Sequence, residues 1–126
     1  MNNLIRELHL PNGLTVSFFD HTRQYFGDFH RVKMEITCKI PVLPDYFEDR
    51  MAFDEAGALL GDEVVYTRIQ EQMGVPSTEI EKVLNRLVTN FMEHSLTYFA
   101  SARFPGKAVL AELNKIKRKR ARAPHP

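Results

Sequence analysis

The chain holds a single cysteine, Cys38, so it cannot form an intrachain disulfide. That fits a reducing compartment. No apolar run approaches the roughly 18 residues needed to cross a bilayer. Met1 to Leu10 lacks the apolar core and small-residue cleavage site of a signal peptide. The expected location is therefore cytoplasmic, with no membrane partner. The sequence has no His-x-x-x-His pair, no Cys-x-x-Cys and no phosphate loop ending in Gly-Lys-Ser/Thr. A Gly-x-Ser-x-Gly nucleophile elbow is also missing. The chain is read as a non-enzyme with no cofactor.

What is there suffices for one domain. The length is 126 residues and 44% of them are hydrophobic, enough for a real core without a metal or disulfide staple. The net charge of +1 hides an asymmetry. Lys115, Lys117, Arg118, Lys119, Arg120 and Arg122 crowd the C-terminus, and taking six positive charges from +1 leaves −5 on the rest.

Period-2 patterning predicts strands. Leu4 to Leu10 and Leu14 to Phe19 flank Pro11-Asn12-Gly13, whose Asn-Gly pair supplies the positive φ of a tight turn. From His30 to Val42 the apolar set Val32, Met34, Ile36, Cys38, Ile40 and Val42 alternates with Arg31, Lys33, Glu35, Thr37 and Lys39. Such alternation marks a long strand with one buried and one wet face. Asp49 to Leu60 reads as a short helix in the least legible stretch. Glu63 to Met73 reads as a fourth strand, with Val65, Thr67, Ile69 and Met73 on one face.

After Gly74-Val75-Pro76, Ser77 or Thr78 is placed to cap a helix. Its stripe is Ile80, Val83, Leu84, Leu87, Val88, Phe91 and Met92, continuing through Ser95, Tyr98, Phe99 and Ala102. Pro105-Gly106 is read as its end. Residues 1–104 then form the domain, and 105–126 a short helix with a flexible basic tail. The fold expected is α+β: a small antiparallel sheet of three to four strands packed on one long helix. Val32 to Ile40 are expected against Ile80, Leu84, Leu87 and Phe91. Two sheet edges stay open, which points to a homodimer.

Three phrases resemble a family of small uncharacterised bacterial proteins. They are Leu10-Pro11-Asn12-Gly13-Leu14 with Asp20, Arg23 and Gly27-Asp28; Leu60-Gly61-Asp62-Glu63-Val64-Val65; and Tyr98-Phe99 with Phe104-Pro105. The family pattern carries a tryptophan after Gly-Asp, where this chain has Phe29. The resemblance implies a bacterial source and carries over no activity and no catalytic residue.

Candidate chemistry is sparse. Asp20, His21, Asp28 and His30 lie near strand ends and would meet at a metal if the loop from His21 to Gly27 folded back. Their spacing matches no metal signature, and loop polar groups satisfied by backbone are the favoured reading. Cys38, on the inward face of a strand, reads as a small core residue. His94 reads as a boundary residue of the long helix. The six tail cations can contact phosphates by charge, although solvation alone also explains them. The favoured function is a protein-interaction or oligomerisation module, with the chain itself or another protein as partner. Nucleic-acid binding through the tail is the alternative.

Overall fold

The computed structural model describes residues 3–122. The chain is α+β. Its strands are β1 (Asn3–His9), β2 (Thr15–Asp20), β3 (Arg23–Phe26), β4 (Phe29–Pro41) and β5 (Glu63–Pro76). Its helices are α1 (Arg50–Leu60), α2 (Ile80–His94), the single turn α3 (Leu96–Phe99) and α4 (Phe104–Arg122). Among the described residues, no helix is long and apolar enough to cross a membrane.

The sheet is antiparallel and centred on β4, which pairs with β2, β3 and β5, while β1 pairs with β2. Asp20 sits opposite Met34 and Arg23 opposite Arg31, so β2 and β3 follow one register along the same side of β4. The segment expected as a loop from His21 to Gly27 is therefore mostly strand. The short break between β2 and β3 is local: Asp20 Oδ1 accepts the Thr22 N–H at 2.8 Å, an Asx turn that competes with the ladder. The Asn12-Gly13 turn forms as expected, with Gly13 at φ 88°. Asn12 does more than turn: its amide donates to the carbonyls of Phe99 (2.7 Å) and Ser101 (3.0 Å).

Two compact units divide the chain. One comprises the residues up to Cys38 together with Thr67–Ser101, and the other Lys39–Tyr66 together with the residues from Ala102 onward. In the first, Val16 and Phe18 of β2 and Val32, Met34, Ile36 and Cys38 of β4 are buried, as their alternation predicts. Val83, Leu84, Val88 and Phe91 of α2 are buried too, and the Phe91 ring meets Phe18 edge-on at 5.4 Å and Phe99 at 5.1 Å. Ile80 and Leu87 are only half-buried. The helix presents its stripe rotated from the expected Ile80-Leu84-Leu87-Phe91 line.

In the second unit, Asp49 caps α1 by accepting the Ala52 N–H at 2.8 Å, and Gly61 ends it at φ 80°. Val109 and Leu113 of α4 are buried, and the Tyr66 ring packs edge-on against Phe104 at 5.7 Å. Gly106 lets α4 approach the Tyr46 ring closely, since a Cβ on it would lie 3.2 Å from that ring.

Three expectations are corrected. The long helix stops at His94, since Ser95 leaves helical geometry (φ −124°, ψ −23°). A serine offers the stripe no apolar anchor, and its hydroxyl accepts instead from Arg68 at 3.0 Å. Pro105-Gly106 opens α4 rather than closing the preceding helix. Proline's fixed φ suits a first turn, where its missing N–H has no partner to lose. The C-terminal helix is accordingly the longest of the fold at 19 residues and contains the cations expected on a tail. The cap also differs: Ser77–Glu79 forms a 3-10 turn, and neither Ser77 nor Thr78 caps α2 through its side chain.

Candidate interaction surfaces

The largest departure from the sequence pattern lies on β5. Val65, Ile69 and Met73 share one face as expected, but that face points outward, and all three are exposed. The buried side begins with Val64 and continues through half-buried Tyr66, Gln70 and Gln72. Polar side chains tolerate the helix side because α2 and the residue after it supply partners. Arg86 donates to Gln72, and Arg68 donates to the Ser95 hydroxyl. Both faces of β5 mix apolar and polar residues, so period alone does not say which is inward.

Among the described residues, one backbone side of β5 has no paired strand. Val42 N–H donates to the Asp62 carbonyl at 2.8 Å, which fixes the parity of the strand. Burial alternates from Val64 to Gln72 except at exposed Arg68, whose guanidinium still reaches Ser95. Even-numbered residues therefore turn their N–H and C=O toward β4, and odd-numbered ones turn theirs away from it. Among the described residues, β5 pairs with β4 alone.

A second exposed apolar group sits at the β3–β4 hairpin end. Gly27 supplies the turn at φ 53°, and Phe26 and Phe29 pair across it. Phe26 is 73% exposed, and Tyr25 and Phe29 are about half exposed. The hairpin end is anchored from its backbone side. Asp28 Oδ2 accepts the Ser77 N–H at 3.2 Å, and Ser77 holds the Asp28 carboxyl below the usual carboxylate range. His30 Nδ1 lies 2.9 Å from the Asp28 carbonyl and 3.2 Å from that of Val75. Carbonyls only accept, so this nitrogen carries the proton.

The four residues considered for a metal do not converge. Asp20 is occupied by Thr22, and Asp28 and His30 by the hairpin anchor. His21 Nε2 faces Glu35 Oε1 at 3.5 Å, an ion-pair distance when the ring is protonated, yet it makes no hydrogen bond. His21 and His30 stand on different rungs of the hairpin, about 10 Å apart at roughly 3.3 Å per residue. Among the described residues, no group of three or more His, Cys, Asp or Glu could hold a metal ion. Cys38 is buried, and burial pushes its thiol up to about 11, away from thiolate chemistry.

The six C-terminal cations are all exposed on α4. Helical spacing sorts them. Lys115, Arg118, Lys119 and Arg122, at i, i+3, i+4 and i+7, form one face and line a shallow depression. Lys117 points elsewhere and pairs with Glu55 of α1 at 3.3 Å. One cation is thus held by its own unit, while four form an ordered cationic stripe. Sequence reasoning missed Tyr25 and Phe26 because they fell in the segment read as a loop, and it singled out Phe29 only as the residue in the family pattern's tryptophan position. Compared with known proteins, the chain matches no family model, no curated protein and no solved structure.

Proposed function

We propose that this protein is a non-catalytic interaction module that works by binding a second protein chain, its own copy first of all. The observation that carries this reading is where the exposed large apolar side chains lie. Of the eight among the described residues of one unit, five lie at the hairpin end (Tyr25, Phe26, Phe29) and along β5 (Ile69, Met73), with Leu4, Ile5 and Tyr98 elsewhere. Large exposed apolar patches on a folded chain mark surfaces used for association. The buried, protonated thiol of Cys38 suits a cytoplasmic setting.

Sedimentation equilibrium of the full chain over a wide concentration range tests this. A concentration-dependent dimer, weakened by Phe26→Ser or Ile69→Lys, supports it. A chain that stays monomeric throughout, with both variants behaving as wild type, contradicts self-association.

A second reading rests on its own observation, the cationic stripe of α4. A helix carrying Lys115, Arg118, Lys119 and Arg122 on one face has the charge and width to lie along duplex nucleic acid. Each neutralised phosphate releases counterion, so four contacts give a slope of about −3.6 in log K against log salt. Replacing all four by Gln should abolish salt-sensitive binding to duplex DNA and leave the circular dichroism unchanged. Binding that survives the fourfold change contradicts this reading.

A further inference from the structure

We propose that two copies of the chain pair antiparallel through the free edge of β5, about a two-fold axis at Ile69. This rests on the self-association reading above and names its surface and register. The edge is suited to it. The odd-numbered N–H and C=O groups of β5 face away from β4, and an unpaired strand edge is a template for another strand. A two-fold axis makes the contact isologous, so it closes at two copies.

The sequence of β5 selects the register. An antiparallel pair about residue 69 sets each residue against the one equally far on the other side. Ile69 then meets Ile69 of the second copy, Val65 meets Met73, and Thr67 meets Glu71. On the helix side Arg68 meets Gln70 and Tyr66 meets Gln72. Every exposed apolar position of the strand faces another apolar one, and no like charges oppose. The neighbouring registers fail on charge or burial. With the axis at Arg68, that arginine opposes itself and Val65 meets Glu71. With it at Gln70, Ile69 meets Glu71. With it at Thr67, Glu63 opposes Glu71, and at Glu71 the carboxylate opposes its own copy. Like charges directly opposite destabilise a ladder, while apolar cross-strand pairs stabilise it.

Parity allows this register, as it allows any axis placed on a residue of the strand. Ile69 is odd-numbered, so the axis falls on a hydrogen-bonded pair, and Val65, Thr67, Glu71 and Met73 all lie on bonded rungs. In such a pair the Cα atoms are about 5.5 Å apart, within the range a disulfide spans.

Cysteine cross-linking of the full chain tests the register, with the native Cys38 buried and out of reach. Under mild oxidation Ile69→Cys should form a covalent dimer alone. Thr67→Cys and Glu71→Cys should each remain unlinked alone and link when mixed. Ile69→Lys should give a monomer with unchanged circular dichroism, because the position is exposed in the single chain. A dimer that persists in Ile69→Lys, or cross-links in any other pattern, overturns this register and leaves the self-association reading standing. A wild-type chain that is monomeric at every concentration overturns both.

Discussion

β4 and β5 are neighbours in one sheet and nearly equal in length, yet they handle their apolar residues in opposite ways. On β4 the even-numbered apolar set from Val32 to Ile40 is buried, with Ile36 fully enclosed, and charged residues hold the outer face. On β5 the middle of the helix side is polar and the outer face carries Val65, Ile69 and Met73 into solvent. The strands differ in what they serve. β4 has pairing strands on both sides and its inward side chains are core. Among the described residues β5 pairs with β4 alone, and on its helix side Gln72 is bonded by Arg86 and Arg68 bonds Ser95. An isoleucine is thus core on one strand and exposed on the other, where the pairing proposed above would make it a contact residue.

The contrast can be broken by substitution. Ile36→Ala should cost about 2–5 kcal/mol in urea unfolding, through lost transfer free energy and the cavity left behind. A cost near zero would remove β4 from the core. Next, Leu84→Ala should fall in the same range of about 2–5 kcal/mol, and Leu87→Ala distinctly below it, because Leu84 is buried and Leu87 half-buried. The reverse order would restore the stripe expected from spacing alone. Asp49→Ala should cost about 1 kcal/mol by removing the cap of α1.

A pH series sharpens the comparison on β4. The Cys38 thiol is raised from 9.0 to about 11 in the fold. Folding favours its neutral form, so the contribution is complete below pH 9 and is lost as pH rises toward 11. Cys38→Ala should flatten that limb of the stability profile. The smallest effect is Ile69→Ala, within about 0.5 kcal/mol of wild type when measured on the single chain. A loss like that of Ile36→Ala would mean that Ile69 is core after all.

Legibility in the sequence followed the same divide. β4 was readable because only one of its faces is apolar, so alternation alone chose the inward set. The Asn12-Gly13 turn was readable from turn chemistry, whereas the helix α1 lies in the least legible stretch, and its Asp49 cap is visible only in the fold. β5 was not readable, because both faces carry apolar residues and only the hydrogen-bond partners on α2 decide between them. The stop at Ser95 was hidden by an apolar stripe that resumes at Tyr98 and Phe99. The start of α4 was hidden by reading Pro105 as a terminator, a role it shares with the opening of a helix. The cations were legible as a cluster, while the stripe of Lys115, Arg118, Lys119 and Arg122 required knowing that the segment is helical. The aromatic hairpin end left no periodic signal, since Tyr25, Phe26 and Phe29 flank a turn.

The central claim is that β5 has a partner strand on its free edge and that the partner is a second copy. Amide hydrogen exchange resolved by residue addresses it directly. The Arg68 and Gln70 N–H groups, turned toward β4, should be protected at every protein concentration. Those of Thr67, Ile69 and Glu71 should be protected at high concentration and exchange rapidly on dilution. Rapid exchange of Thr67, Ile69 and Glu71 at every concentration would contradict the claim.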